Sequence, residues 1–133
     1  MDVDIETTKA LAEFPEVVTL AVEAAQEAKG FDITALDIAE AFPLCDCFLI
    51  VSGRSDRHVQ GIANKIRSSL ADHKIKPISV EGLDRGQWVL LDYGNVLIHV
   101  FYAAERERYN LETLWVGAKK ITIPDNVDEF FAA

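Results

Sequence analysis

The sequence predicts a single α/β domain, a mixed sheet of about five strands with helices packed on it. Three observations carry that expectation. Apolar residues recur at helical spacing in some stretches and run together or alternate in others, giving the order α-β-β-α-β-β-β-α. One run, "CFLIVSG" from Cys47 to Gly53, is apolar until it ends in Ser-Gly. It suits a strand buried on both faces, so helices should cover the sheet there. Finally, 133 residues, half of them apolar, are enough for one real hydrophobic core.

Taken in order, residues 1–15 offer no cap or turn signal and are expected to fray at the start. Pro15 suits the first turn of a helix. Val17, Leu20, Ala21, Ala24 and Ala28 repeat at its spacing up to Gly30, the expected C-terminal cap. Ile33–Ile38 and Cys47–Gly53 read as strands. Ser55 is a good N-cap and Asp56 favours the positive helix start. Val59, Ile62, Ala63, Ile66 and Leu70 form one stripe of a helix reaching about His73. Lys76–Gly82 reads as a short strand, with Pro77 marking its start or an edge. A strand, capped helix and strand in the middle of the chain should cross over right-handed if the strands are parallel. "WVLLDYGNVLIHVF" gives two strands, Gln87–Asp92 and Val96–Tyr102, around a Gly94-Asn95 turn. "ERERYNLETLWVGAKK" is helical in part, with Leu111, Leu114 and Trp115 toward the core. The folded domain is thus 16–118, and 119–133 is an acidic tail beyond it.

Lys and Arg number 13 against 22 Asp and Glu, a formal net charge of −9. That argues against direct nucleic-acid binding, in which Lys and Arg displace counterions. It fits solubility or a basic protein partner. No apolar run approaches the length of a bilayer span, and "MDVDIETTK" lacks the apolar stretch of a secretion signal. A cytoplasmic protein without membrane contact is expected. Cys45 and Cys47 lack further ligands at zinc spacing. Two apart on a strand they share a face and do not readily bridge, so both are expected to be small buried hydrophobes.

The hairpin has two unlike faces. Val89, Leu91, Tyr93, Val96, Ile98, Val100 and Tyr102 make one, a core face for helices. Trp88, Leu90, Asp92, Leu97, His99 and Phe101 make the other, where Asp92 and His99 are diagonal neighbours able to pair. A buried carboxylate without a partner is costly. This face is therefore either open, with the composition of a protein interface, or covered by a helix with Asp92–His99 as a satisfied pair. The spacing leaves both readings open.

Little in the sequence points to catalysis. The Gly53–Ser55 turn leads from strand to helix, where phosphate can bind, but G-x-x-x-x-G-K-[ST] and G-x-G-x-x-G are both absent. A metal-dependent nucleotidyl or phosphoryl transferase would need paired carboxylates, and Asp92 has Leu90 and Gly94 at the positions two away. A Ser52–His99–Asp92 triad can be written, but no G-x-S-x-G marks Ser52 as a nucleophile. His58 and His73 are expected on and at the end of the helix surface.

In order and spacing, "ALDIAEAFPLCDCFLIVSGRSDRHVQGIANKI", "VEG", "WVLLDYGNVLIHVF" and "ERYNLETLW" resemble the ribosomal silencing factors, or Iojap-like proteins, over residues 16–118. The resemblance implies a nucleotidyltransferase-like fold without the transferase site or a cofactor. It implies binding to the large ribosomal subunit through ribosomal protein fourteen, a steric block of subunit joining, and repression of translation when nutrients are short. It places the binding surface at Trp88, Asp92 and Tyr93, beside Leu90, His99 and Phe101 of the same hairpin. A homodimer through that patch is expected of the free protein. The alternatives are a divergent transferase using the Gly53–Ser55 turn, or a ribosome-assembly factor.

Overall fold

The apolar run becomes the centre of the sheet. In a computed structural model describing residues 5–42, 44–115 and 117–125, Cys47–Gly53 is strand β2, buried at every position. It lies between β1 (Phe31–Asp37), antiparallel to it, and β5 (Val96–Tyr102), parallel to it. Outside β5 come β4 (Trp88–Asp92) and β3 (Ser79–Glu81), and outside β1 comes β6 (Lys119–Thr122). The sheet order is β3-β4-β5-β2-β1-β6. The described residues also form helices α1 (Ile5–Leu11), α2 (Glu16–Glu27), α3 (Asp56–Asp72) and α4 (Ala103–Tyr109), and a 3₁₀ turn, Leu111–Trp115.

Among the described residues six strands replace the expected five, because Lys119–Thr122, read as the start of the tail, pairs with β1 from Thr34↔Thr122 to Asp37↔Lys119. An edge strand is short and carries lysines on its outer side, so its sequence does not look like a strand. Residues 126–133 of that tail, and residues 1–4, lie outside the described residues. Ile5–Leu11 is helical rather than frayed: Leu11 is buried in the core, and Glu13 forms an ion pair with Lys119 of β6. In the middle unit β3 runs parallel to β2 without being its neighbour: it pairs antiparallel with β4 at the far edge, and the strand hydrogen-bonded in parallel to β2 is β5.

Local chemistry explains the helix ends. The Ser55 hydroxyl accepts from the His58 amide at 3.1 Å, capping α3 as expected. The α2 helix ends at Glu27 with Ala28 as its cap, and Lys29, not Gly30, takes the left-handed conformation, at φ 63°. Gly30 is needed for space instead, since a Cβ there would stand 2.6 Å from Cγ1 of Val51 on β2. α2 and α3 pack side by side on one face of the sheet, over an aliphatic core that includes Val18, Ala21, Ile33, Leu49, Val51, Ile62, Ile66, Leu91 and Ile98. The other face buries a smaller cluster of Leu36, Ile38, Cys45, Phe48, Ile50 and Phe101. Cys45 precedes β2 and joins this second cluster, whereas Cys47 joins the first, so the two thiols do not share a face. Both are free and buried, and burial pushes the Cys47 thiol up to about 12.

Candidate protein-binding face

The hairpin register follows the sequence: Trp88 faces Phe101, Leu90 faces His99, and Asp92 faces Leu97. The Tyr93 amide donates to the Val96 carbonyl at 2.9 Å, closing the turn. Gly82, the glycine of "VEG", fixes where β4 begins. Its φ is +81°, and a Cβ there would lie 2.1 Å from the Trp88 carbonyl oxygen, so only glycine fits.

On the helix side, Val89, Leu91, Val96, Ile98 and Val100 are fully buried. Tyr93 belongs with them. It packs into the aliphatic core, on the face opposite Trp88, and burial raises its phenol pKa against a small opposing pull from Arg67.

The second face is neither open nor covered as a whole. It divides roughly along its two strands, with Leu97 of β5 going with β4. Phe101 is fully buried and His99 is 5 % exposed, while Trp88, Leu90, Asp92 and Leu97 are half-buried. The cover comes from the segment after β5. Tyr109 at the end of α4 lies 4.7 Å from the Trp88 ring centre, and Trp115 sits edge-on to Phe48 at 5.5 Å. Phe42 reaches Trp115 at 5.8 Å. Leu111 and Trp115 take the two inward positions of the short turn, which leaves Leu114, expected in the core, 69 % exposed.

The Asp92–His99 pair of the covered reading does not form. Asp92 Oδ1 accepts from the Gly94 amide at 2.8 Å and so holds the turn. His99 Nδ1 accepts from Trp88 Nε1–H at 3.1 Å. Both Trp88 and Asp92 are diagonal to His99, and burial decides between them. It lowers the imidazole pKa to about 4, so the ring is neutral and prefers a neutral donor to a carboxylate that would itself have to be buried. The indole also stacks on Phe101, with ring centres 4.8 Å apart.

An arginine that no sequence pattern marks out locks the covering segment down. The Arg106 side chain is 11 % exposed. Its guanidinium donates to Ser52 Oγ at 2.9 Å, to Thr34 Oγ1 at 3.2 Å, to the Asp32 carbonyl and to Glu112 at 3.1 Å. Burial alone would raise the Glu112 carboxyl. The hydrogen bond and charge of Arg106, with Lys120 behind, bring it below its usual value. Ser52 is thus a buried acceptor for Arg106 on β2 and stands opposite Phe101 rather than beside His99. At the Gly53–Ser55 turn the serine is the α3 cap. His58 is not a free surface group there: its Nε2 lies 2.8 Å from the Ala28 carbonyl oxygen and its Nδ1 accepts from the Arg54 amide. Among the described residues no three His, Cys, Asp or Glu side chains gather to hold a metal, and no helix is long and apolar enough to cross a membrane.

With this geometry in view, comparison with known proteins is decisive. The family model described as ribosomal silencing factor during starvation matches residues 11–131. The chain belongs to the ribosomal silencing factor family. A silencing factor of Bacillus subtilis is 40 % identical over 102 residues, 77 % of this chain and 86 % of that one. The chloroplastic Iojap protein of Zea mays is 30 % identical over 77 % of this chain and 44 % of its own length. The crystal structure of a Chromobacterium violaceum protein, 33 % identical, superposes with a TM-score of 0.74 over 86 % of this chain and 96 % of that one. The mixed-sheet α/β domain is therefore an architecture that this chain shares with the solved structures it matches.

Proposed function

We propose that this ribosomal silencing factor binds the large ribosomal subunit in the cytoplasm, through its basic ribosomal protein fourteen, and blocks joining of the small subunit. Translation is thereby repressed when nutrients are short, with no catalytic step and no cofactor. The observation that carries the reading is the half-buried strip Trp88–Leu90–Asp92 on β4, lying beside a fully buried floor. A large aromatic whose underside is packed loses little freedom on docking, and such anchors are worth about 2–4 kcal/mol at an interface centre. Asp92 offers a carboxylate to Lys or Arg, a charge-assisted hydrogen bond worth about 1.5–3 kcal/mol. The net charge of −9 complements a basic protein and steers encounter in a salt-dependent way. His99 and Phe101 support the strip from beneath, and Tyr93 supports the strand from its other side. In the free protein the same strip pairs two copies, which light scattering at rising concentration detects as a dimer.

Sedimentation of purified subunits through a sucrose gradient tests the reading. Wild-type protein travels with the large subunit and depletes joined ribosomes. Trp88→Ala/Asp92→Ala, folded by circular dichroism, does neither. Wild-type protein that stays at the top of the gradient defeats the proposal. Co-migration with large-subunit precursors alone would favour an assembly role instead.

A further inference from the structure

His99 poses a problem that the binding strip does not by itself explain. The ring is 5 % exposed in the middle of the sheet, where an aliphatic residue would pack without polar cost. Its Nδ1 accepts the Trp88 indole N–H at 3.1 Å. A neutral imidazole that accepts at Nδ1 carries its proton on Nε2, and that buried Nε2 has no hydrogen-bond partner among the described residues. A histidine kept only to fill the core would satisfy both nitrogens. This one leaves one nitrogen unpaired and aims the other at a single surface side chain.

Trp88 needs such a hold. It is the first residue of β4, and β3 pairs only with Leu90 to Asp92, so no third strand flanks it. Its indole packs against the rings of Phe101 and Tyr109. Stacking resists tilting of the ring but is met almost as well by a ring turned over about the Cβ–Cγ bond. The hydrogen bond from Nε1 to His99 removes that freedom and fixes which edge of the indole faces outward. A binding residue held in its bound pose before encounter loses less on association.

We propose that His99 is a positioning residue for recognition of the large subunit: it touches no partner, and it sets the outward pose of Trp88 through the Nε1–Nδ1 hydrogen bond. The inference rests on the reading of Trp88 as the anchor.

The test uses the full chain and two readouts. The first is the Trp88 indole N–H in a proton–nitrogen NMR spectrum, assigned by comparison with Trp115→Phe. In the wild type this proton resonates as a hydrogen-bonded group and exchanges slowly with water. In His99→Leu it moves upfield and exchanges at least tenfold faster. In His99→Asn, whose Oδ1 can accept near the place of Nδ1, much of the protection returns. The second readout is affinity for purified large subunits, which falls about tenfold in His99→Leu and recovers in part in His99→Asn.

A wild-type indole proton that exchanges like a free one overturns the proposal without any variant, even if His99→Leu fails to fold. So does a His99→Leu protein whose indole changes while its affinity does not. Trp88→Ala separates this inference from the reading beneath it. If that variant binds as the wild type does, the anchor itself is wrong. If it loses binding and His99→Leu does not, only the positioning role fails.

Discussion

The two faces of the sheet solve the same packing problem with different materials. Beneath α2 and α3 the filling is Val, Leu, Ile and Ala, closed on every side. On the other face Leu, Ile and Cys are mixed with Phe, Trp, His and Tyr, closed over β2 and most of β5 and half-open over β4. Aliphatic side chains fill space and ask for nothing more. Aromatic ones with a polar atom bring flat area together with a group that must be aimed. The contrast teaches that the second face is built for presentation as well as stability, and substitutions should separate those two roles.

The largest expected effect is on stability. Phe101→Ala removes the floor under Trp88 and should cost about 3–5 kcal/mol in denaturant unfolding. Ile98→Ala on the aliphatic face should cost about 2–5 kcal/mol. If Phe101→Ala cost less than about 1 kcal/mol, the aromatic face would not be a core at all.

Next comes acidification. The folded imidazole of His99 stays neutral down to about pH 4, whereas the ordinary value is 6.5. Trp88 and Leu90 from β4, Phe48 and Ile50 from β2, and Phe101 beside it on β5 surround the ring without titrating, and Asp92, diagonal to it on β4, turns its carboxylate to the Gly94 amide. Between those two pH values the unfolded chain binds the extra proton and the folded one does not. Stability from this group is therefore complete above pH 6.5 and falls by up to about 3 kcal/mol as pH drops toward 4. Chemical denaturation at pH 7 and pH 4.5, compared with His99→Leu, isolates the slope. A variant with the same slope as wild type would show that carboxylates, not His99, set it.

Arg106→Leu should cost about 2–3 kcal/mol, because it leaves the Ser52 and Thr34 hydroxyls and the Glu112 carboxylate without their shared donor. Arg108→Leu, two residues on at an exposed position, is the control and should stay within about 0.5 kcal/mol. Equal effects would deny that Arg106 fastens the cover. Smallest is Leu90→Ala, at under about 1 kcal/mol because the side chain is half-buried. Its affinity for large subunits should nevertheless fall, and that split between stability and binding is the sharpest form of the contrast between the faces.

Much of the fold was legible because its signals are local. The Cys47–Gly53 run, the Ser55 cap with the α3 stripe, and the parity of a two-residue turn each depend on neighbours in sequence. The division of the Trp88 face was not legible. Whether β5 is covered depends on where residues 103–115 fold back, and no period in their sequence states that. Arg106 and Arg108 stand alike in "ERER", and only the folded chain shows that one reaches Ser52 and Thr34 while the other meets solvent. The choice of Trp88 over Asp92 as the partner of His99 turned on desolvation, a property of the assembled core. The strand β6 hid behind its lysines.

That last strand bears on how the molecule comes together in time. Beyond it, the Asp32 amide donates to Asp125 Oδ1 across 93 positions of chain, whereas the β4–β5 hairpin closes across a few. Distant pairings wait for nearer ones, since closing a long loop is repaid only once a surface exists to receive it. The outer edge of β1 is therefore the last part of the sheet to be sealed and the first to open. While it is open, a strand from another molecule can add to it, so newly made protein is most prone to misassembly at the edge farthest from β3.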